Sequence, residues 1–180
     1  MESIVAYELG PLPEKITGGC LCGSLKYEAH FPENHDFKDN SGTCQCTQCR
    51  RSTSHLFFIW QKVPFSHFKW TSPSTDSLKN FYCTPGNARG FCSSCGTFLY
   101  WRREGGPNIN IPIGTIDPLY LFGEGWEDSG GEVPKNGFGR ALANGCGGHE
   151  WTRNEIAGVT DELELVGAGP KGRGERVEAE

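Results

Sequence analysis

Apolar positions in this chain fall in short runs with turn residues between them. Ser24–Ala29 (SLKYEA) alternates, with Leu25 and Tyr27 on one face of an expected strand. His55–Gln61 (HLFFIWQ) is a continuous apolar run of the type that forms a strand buried on both faces. Phe65–Trp70 (FSHFKW), Leu78–Cys83 (LKNFYC), Thr97–Arg102 (TFLYWR) and Asn108–Ile113 (NINIPI) read as further strands. Aromatic and β-branched residues dominate these runs, and they suit a pleated, half-buried surface. Breakers separate them: Pro32, Pro73, Pro85-Gly86, Gly105-Gly106-Pro107 and Gly114. Short strands with turns between them predict an all-β domain.

The flanks read differently. Pro11 and Pro13 mark residues 1–15 as a lead-in, and the domain is expected over 16–165. Residues 123–148 carry nine glycines and predict a long loop. Thr152–Ile156 suggests a short helical turn. Residues 167–180 hold one sizeable apolar side chain, Val177, and a disordered tail is expected over 166–180.

Composition narrows the class. With 25 glycines and 11 prolines in 180 residues, a helical bundle is excluded. The length fits one domain, and 36% apolar residues give it a lean core. No apolar run approaches the ~18 residues of a membrane-spanning helix. The N-terminus lacks a basic start followed by an apolar stretch, so no secretory leader is expected. The net charge of −5 divides unevenly: residues 1–90 hold 9 basic against 8 acidic groups, and residues 91–180 hold 8 against 14. Arg50-Arg51 and Arg102-Arg103 are only doublets, so neither a nucleic-acid partner nor a membrane partner is expected.

Nine cysteines change the picture most. The number is odd, so complete intramolecular pairing is impossible. A reducing, cytoplasmic compartment is expected, where clustered cysteines serve metals more often than disulfides. Three clusters stand out: Cys20-Leu21-Cys22, Cys44-Gln45-Cys46-Thr47-Gln48-Cys49 and Cys92-Ser93-Ser94-Cys95. Zinc takes four ligands in a tetrahedron. The outer clusters together supply four thiolates, so Cys20, Cys22, Cys92 and Cys95 are expected to form a closed structural zinc site. Cys44, Cys46 and Cys49 supply three and leave a position open, as in a catalytic zinc site. Other partitions stand beside this one. The first and second clusters can share an ion, and iron–sulfur ligation uses as many thiols. Cys83, in an expected strand, reads as a small buried hydrophobe, and Cys146 as an exposed thiol. Among the histidines only His55 lies close enough in sequence to the middle cluster to reach its open position.

The ordered motifs GGCLCGSLKYE, CQCTQCRRST, FCSSCGTFLYW and the later IGTID (Ile113–Asp117) resemble the glutathione-dependent formaldehyde-activating enzyme family, which includes centromere protein V. The resemblance runs over roughly residues 16–120. It implies a β-tent fold, a structural zinc on the outer pair of motifs and a catalytic zinc on the middle three cysteines. It also implies carbon–sulfur lyase chemistry on glutathione and formaldehyde or a related thiol adduct. The chain departs from the family at two motif positions: Gln45 stands where His is frequent, and Ser54 where Gly is frequent.

On this reading Arg50 attracts substrate carboxylates and Thr53 donates a hydrogen bond beside the catalytic zinc, with Ser52 and Ser54 as neighbours able to do the same. The competing function is a non-catalytic zinc module that binds a partner.

Overall fold

A computed structural model describes residues 8–127 and 134–161. The predicted tail, residues 166–180, lies outside the described residues, as does the start of the lead-in. Among the described residues ten strands run in chain order: β1 (Lys15–Gly19), β2 (Lys26–His30), β3 (Ser41–Cys44), β4 (Phe58–Pro64), β5 (Phe68–Trp70), β6 (Leu78–Thr84), β7 (Asn87–Cys92), β8 (Phe98–Arg103), β9 (Asn108–Pro112) and β10 (His149–Glu150). Three short helices interrupt them: α1 (Thr47–Thr53), α2 (Pro118–Phe122) and α3 (Gly139–Leu142). The strands form a three-stranded sheet, β1-β2-β5, and a seven-stranded sheet, β10-β3-β4-β9-β8-β7-β6. The all-β expectation holds. No described helix is long and apolar enough to cross a membrane.

The six strands legible in the sequence are all present. Phe65–His67 first makes a turn of 3-10 helix, which shortens that strand to β5. Four strands had no apolar alternation to reveal them. β3 is Ser-Gly-Thr-Cys and is buried throughout, and β7 includes Arg89 and Gly90. Tertiary contact makes these segments strands: β3 is held between β4 and β10, and β7 between β6 and β8.

The core lies between the sheets. Ile16, Leu25, Tyr27, Val63, Leu99, Ile109 and Ile111 are essentially inaccessible to solvent. Gly18 faces Tyr27 in the β1–β2 register. A Cβ there would lie 2.4 Å from Tyr27 Oη and 2.2 Å from Thr115 O, so only glycine lets the strand approach. Thr115 belongs to the IGTID segment. That segment is tied to β1 by the Asp117 amide donating to Thr17 O at 2.9 Å and by Thr17 Oγ1 donating to Asp117 Oδ2 at 2.5 Å.

Two expectations need correction. Residues 123–148 are not simply a loop, because Ala141 and Leu142 of α3 are fully buried in the core. Gly137 and Gly139 serve close packing there: a Cβ on either would meet Leu121 O at 2.5 Å and 2.7 Å. Cys83 is exposed rather than buried. It lies on β6, which pairs only with β7, and the strand is exposed along most of its length. Cys146 is half-buried, with its amide donating to Asn144 Oδ1 at 2.8 Å. The short helical turn expected near residue 152 is present at Thr152–Asn154.

Candidate metal centres

Cys20 and Cys22 occupy the turn between β1 and β2, and Cys92 and Cys95 the turn between β7 and β8. Gly23 and Gly96 close these turns with φ of 75° and 77°, a conformation that favours glycine. The four Sγ atoms lie within 4.8 Å of one another. Cys22 Sγ is 3.5 Å from Cys20 Sγ and 3.8 Å from Cys92 Sγ. A disulfide would need about 2.05 Å, whereas sulfurs about 2.3 Å from a tetrahedral ion lie about 3.8 Å apart. The donor set therefore fits a metal ion. Hydroxyls already favour the anionic sulfur: hydrogen bonding from Thr97 lowers the Cys95 pKa. Burial works against ionisation of Cys92, but the Ser24 hydroxyl and the amides of Cys95 and Ser94 outweigh it and bring that thiol to about 5.

The middle cluster is built differently. Cys44 ends β3, Cys46 caps α1, and Cys49 lies in the first turn of that helix. Cys46 Sγ accepts the Cys49 amide at 3.3 Å. A thiolate can serve as the cap because it accepts an otherwise orphaned helix N–H. All three cysteines are buried, and their sulfurs lie within 4.8 Å of one another. Phe58 and Trp60 pack with them, and Phe98, Trp101 and Trp151 surround the group. In this apolar setting the three thiols do not ionise alike. Hydrogen bonds from Cys44 and Cys49 hold Cys46 far below the usual thiol range, and the same contacts, with burial, push Cys44 up. Cys49 gains from Cys44 but loses more to Cys46 and to burial, and it rises to about 12. Three thiolates in such a place require a cation, so this donor set also fits a metal. Among the described residues the group contains three candidate ligands, not four.

A cavity of about 400 Å³ opens against the trio, and Gln48, Arg89, Asn110, Trp101, Glu150 and Trp151 line it. A second cavity of about 530 Å³ shares Trp60, Trp101, Asn110 and Glu150 with the first, so the two lie side by side. Lys62 and Arg103 line the second. Alternation along β8 splits the arginine doublet: Arg103 lines that cavity, while Arg102 sits over the Phe65 ring at 3.6 Å. Burial raises the pKa of the Glu150 carboxyl, opposed by a hydrogen bond with Cys44.

Arg50 and Thr53 are not among the lining residues. Arg50 Nε donates to Leu56 O at 2.9 Å, and its Nη2 donates to Gln45 Oε1 at 3.2 Å and to Asn154 O. Thr53 Oγ1 donates to Cys49 O at 2.8 Å, inside its own helix. Gln45 is fully buried, and its Oε1 also accepts Thr160 Oγ1 at 2.7 Å. These bonds fasten the segment after β10 over α1. His55 is exposed and packs edge-on against Phe57.

Sequence reasoning missed Arg89, Gln48, Glu150 and Trp151. Arg89 alone carried a signal, as a charged residue between two expected strands close to a cysteine motif.

Residues 15–128 match the family model described as glutathione-dependent formaldehyde-activating enzyme. The chain belongs to that family. Over 101 residues it is 33% identical to a curated protein of Schizosaccharomyces pombe (strain 972 / ATCC 24843) named an uncharacterized lyase. The match takes in 54% of this chain and spans 64% of that relative's length. A crystal structure of a Rhodobacter sphaeroides protein superposes with a TM-score of 0.46 at 24% identity, covering 66% of this chain and 98% of that one. β10, Glu150 and Trp151 all lie beyond the family match, so this part of the cleft comes from outside the shared region.

Proposed function

We propose that this chain is a zinc-dependent carbon–sulfur lyase acting on adducts of a thiol with a small aldehyde, with glutathione and formaldehyde as the leading pair. The observation that carries the reading is the contrast between two cysteine clusters: four sulfurs close one site, while three sulfurs floor a cleft. Family membership and the lyase name of the relative support the reaction class.

Cys20, Cys22, Cys92 and Cys95 would hold one zinc, and Cys44, Cys46 and Cys49 the other. An ion on three thiolates supplies an open ligand position at which a thiol loses its proton more readily. The chain's own residues do the rest. Trp60, Trp101 and Trp151 give the reacting atoms an apolar surround, in which charges interact more strongly than in water. Lys62 and Arg103, in the neighbouring cavity, suit the carboxylates of a glutathione-like thiol. In the adduct-forming direction sulfur bonds to the carbonyl carbon, the carbon–oxygen π pair moves to oxygen, and the proton lost by the thiol is balanced by the one gained at oxygen. Arg50 and Thr53 are assigned to holding α1 and its cysteines in place.

The test is metal content and adduct formation in paired variants. Cys46→Ser is expected to stay folded, hold one zinc fewer per chain and lose adduct-forming activity. Cys95→Ser is expected to be destabilised and to unfold at a clearly lower temperature. If Cys46→Ser unfolds as Cys95→Ser does, or if the unaltered protein does not accelerate the glutathione–formaldehyde reaction, the reading fails.

A further inference from the structure

The cleft contains a buried cation whose hydrogen-bonding capacity is not used up. Arg89 on β7 is only 6% exposed. Its Nη2 donates to Gln48 Oε1 at 2.8 Å. Neither Nε nor Nη1 has an acceptor among the described residues, although both atoms are shielded from solvent. Leaving a buried charged donor unmatched costs more than leaving a neutral one. A guanidinium in that state points to an acceptor that arrives from outside.

Its setting narrows what that acceptor is. Arg89 lines the same cavity as Cys44, Cys46 and Cys49, and its charge lowers the Cys46 pKa. Gln48 lies between Cys46 and Cys49 in sequence, on the helix that Cys46 caps and that contains Cys49. Its amide also reaches across to β6, where its Nε2 donates to Thr84 Oγ1 at 3.3 Å. Arg89 is therefore oriented by the same helix that presents the sulfurs.

We infer that Arg89 is the oxyanion-binding residue of the cleft: its guanidinium lines the cavity, and a small turn of it brings Nε or Nη1, which have no acceptor among the described residues, onto a substrate oxygen that carries negative charge. The inference rests on the proposed thiol–aldehyde chemistry, in which that oxygen is the former carbonyl oxygen. As the carbon–sulfur bond forms, the π pair becomes oxygen charge beside the guanidinium, and the oxygen then takes up a proton equal to the one the thiol released. Preorganised donors aimed where charge develops stabilise that state more than the ground state. Gln48 is a positioning residue, since it acts only through Arg89.

The test uses formate, a small oxyanion, titrated into the zinc-loaded protein while tryptophan fluorescence is read; Trp60, Trp101 and Trp151 border the cavity. Saturable quenching is expected for the unaltered protein. Arg89→Met is expected to abolish it with zinc content unchanged. Arg89→Lys keeps a positive charge in the chain should the Met variant fail to fold, and it is expected to weaken formate at least about tenfold, because one ammonium does not reproduce the guanidinium fork. In the adduct-forming reaction Arg89→Lys should lower kcat more than it raises KM. Formate affinity unchanged in either folded variant overturns the inference. If formate binding depends on Arg89 but no thiol–aldehyde pair reacts, the lyase reading falls and the oxyanion site stands.

Discussion

Cys22 Sγ lies 3.8 Å from Cys92 Sγ across 70 residues of chain, so the first hairpin turn and the β7–β8 turn meet at one point. These turns belong to different sheets. The Leu21 amide also donates to Thr97 Oγ1 at 3.1 Å across the junction, but the Leu21 side chain at the tip is 88% exposed and adds little packing. A metal on this cluster would tie the sheets together, and its binding free energy would become folding free energy. Cys92→Ser is expected to cost at least about 3 kcal/mol. In a chain of this size that lowers Tm by roughly 10 °C. Thermal melts with and without a strong chelator should show the unaltered protein falling toward the variant. A chelator-insensitive melt would mean that the cluster is not a metal staple.

Ser54 ends α1 with φ of 54°, in the left-handed region. A side chain there costs about 1 kcal/mol that glycine does not incur. The position is exposed, and the family resemblance already marks it as one where Gly is frequent. Ser54→Gly is expected to gain about 0.5–1 kcal/mol in denaturant unfolding without altering metal content. A loss of stability would show that the serine side chain contributes more than its backbone conformation costs.

Glu28 anchors the outer face of the smaller sheet. Its carboxylate meets Lys69 at 2.7 Å, His30 at 2.7 Å and Lys15 at 3.6 Å. Hydrogen bonds from Lys69 and then His30 lower its pKa to about 2. A depressed carboxylate pKa means stabilisation that is complete above the ordinary value near 4.5 and is lost as pH falls through that window toward 2. Glu28→Gln should flatten the acid limb of the stability profile between those limits and leave the profile above it parallel to that of the unaltered protein. Urea midpoints collected across that range would decide it, and identical slopes for both proteins would remove Glu28 from the account.

The sites were unequally legible. The cysteine groups could be read because ligand spacing within a turn is local: Cys20 with Cys22, Cys92 with Cys95, and the trio on one short segment. The helix α1 was missed because seven polar and small residues show no apolar period, and its cap is a cysteine rather than Ser, Thr, Asp or Asn. Arg50 looked like the cation of the site by its position beside Cys49. The helix turns it away, onto Gln45, Leu56 and Asn154, whereas Arg89, 40 residues downstream of Cys49, faces the cavity through a strand register.

The sequence by itself determined the all-β class and the three local cysteine clusters, because strand alternation and ligand spacing are properties of neighbouring residues; that the first cluster joins the third was decided by the tertiary structure. Only the tertiary structure decided what surrounds the trio. Arg89 comes from β7, and Glu150, with Trp151 directly after it, comes from a strand laid parallel to β3 about a hundred residues after it, as Glu150 pairs with Cys44. Such positions follow from how sheets stack and which strand edge is left to pair, and no local pattern of side chains encodes that.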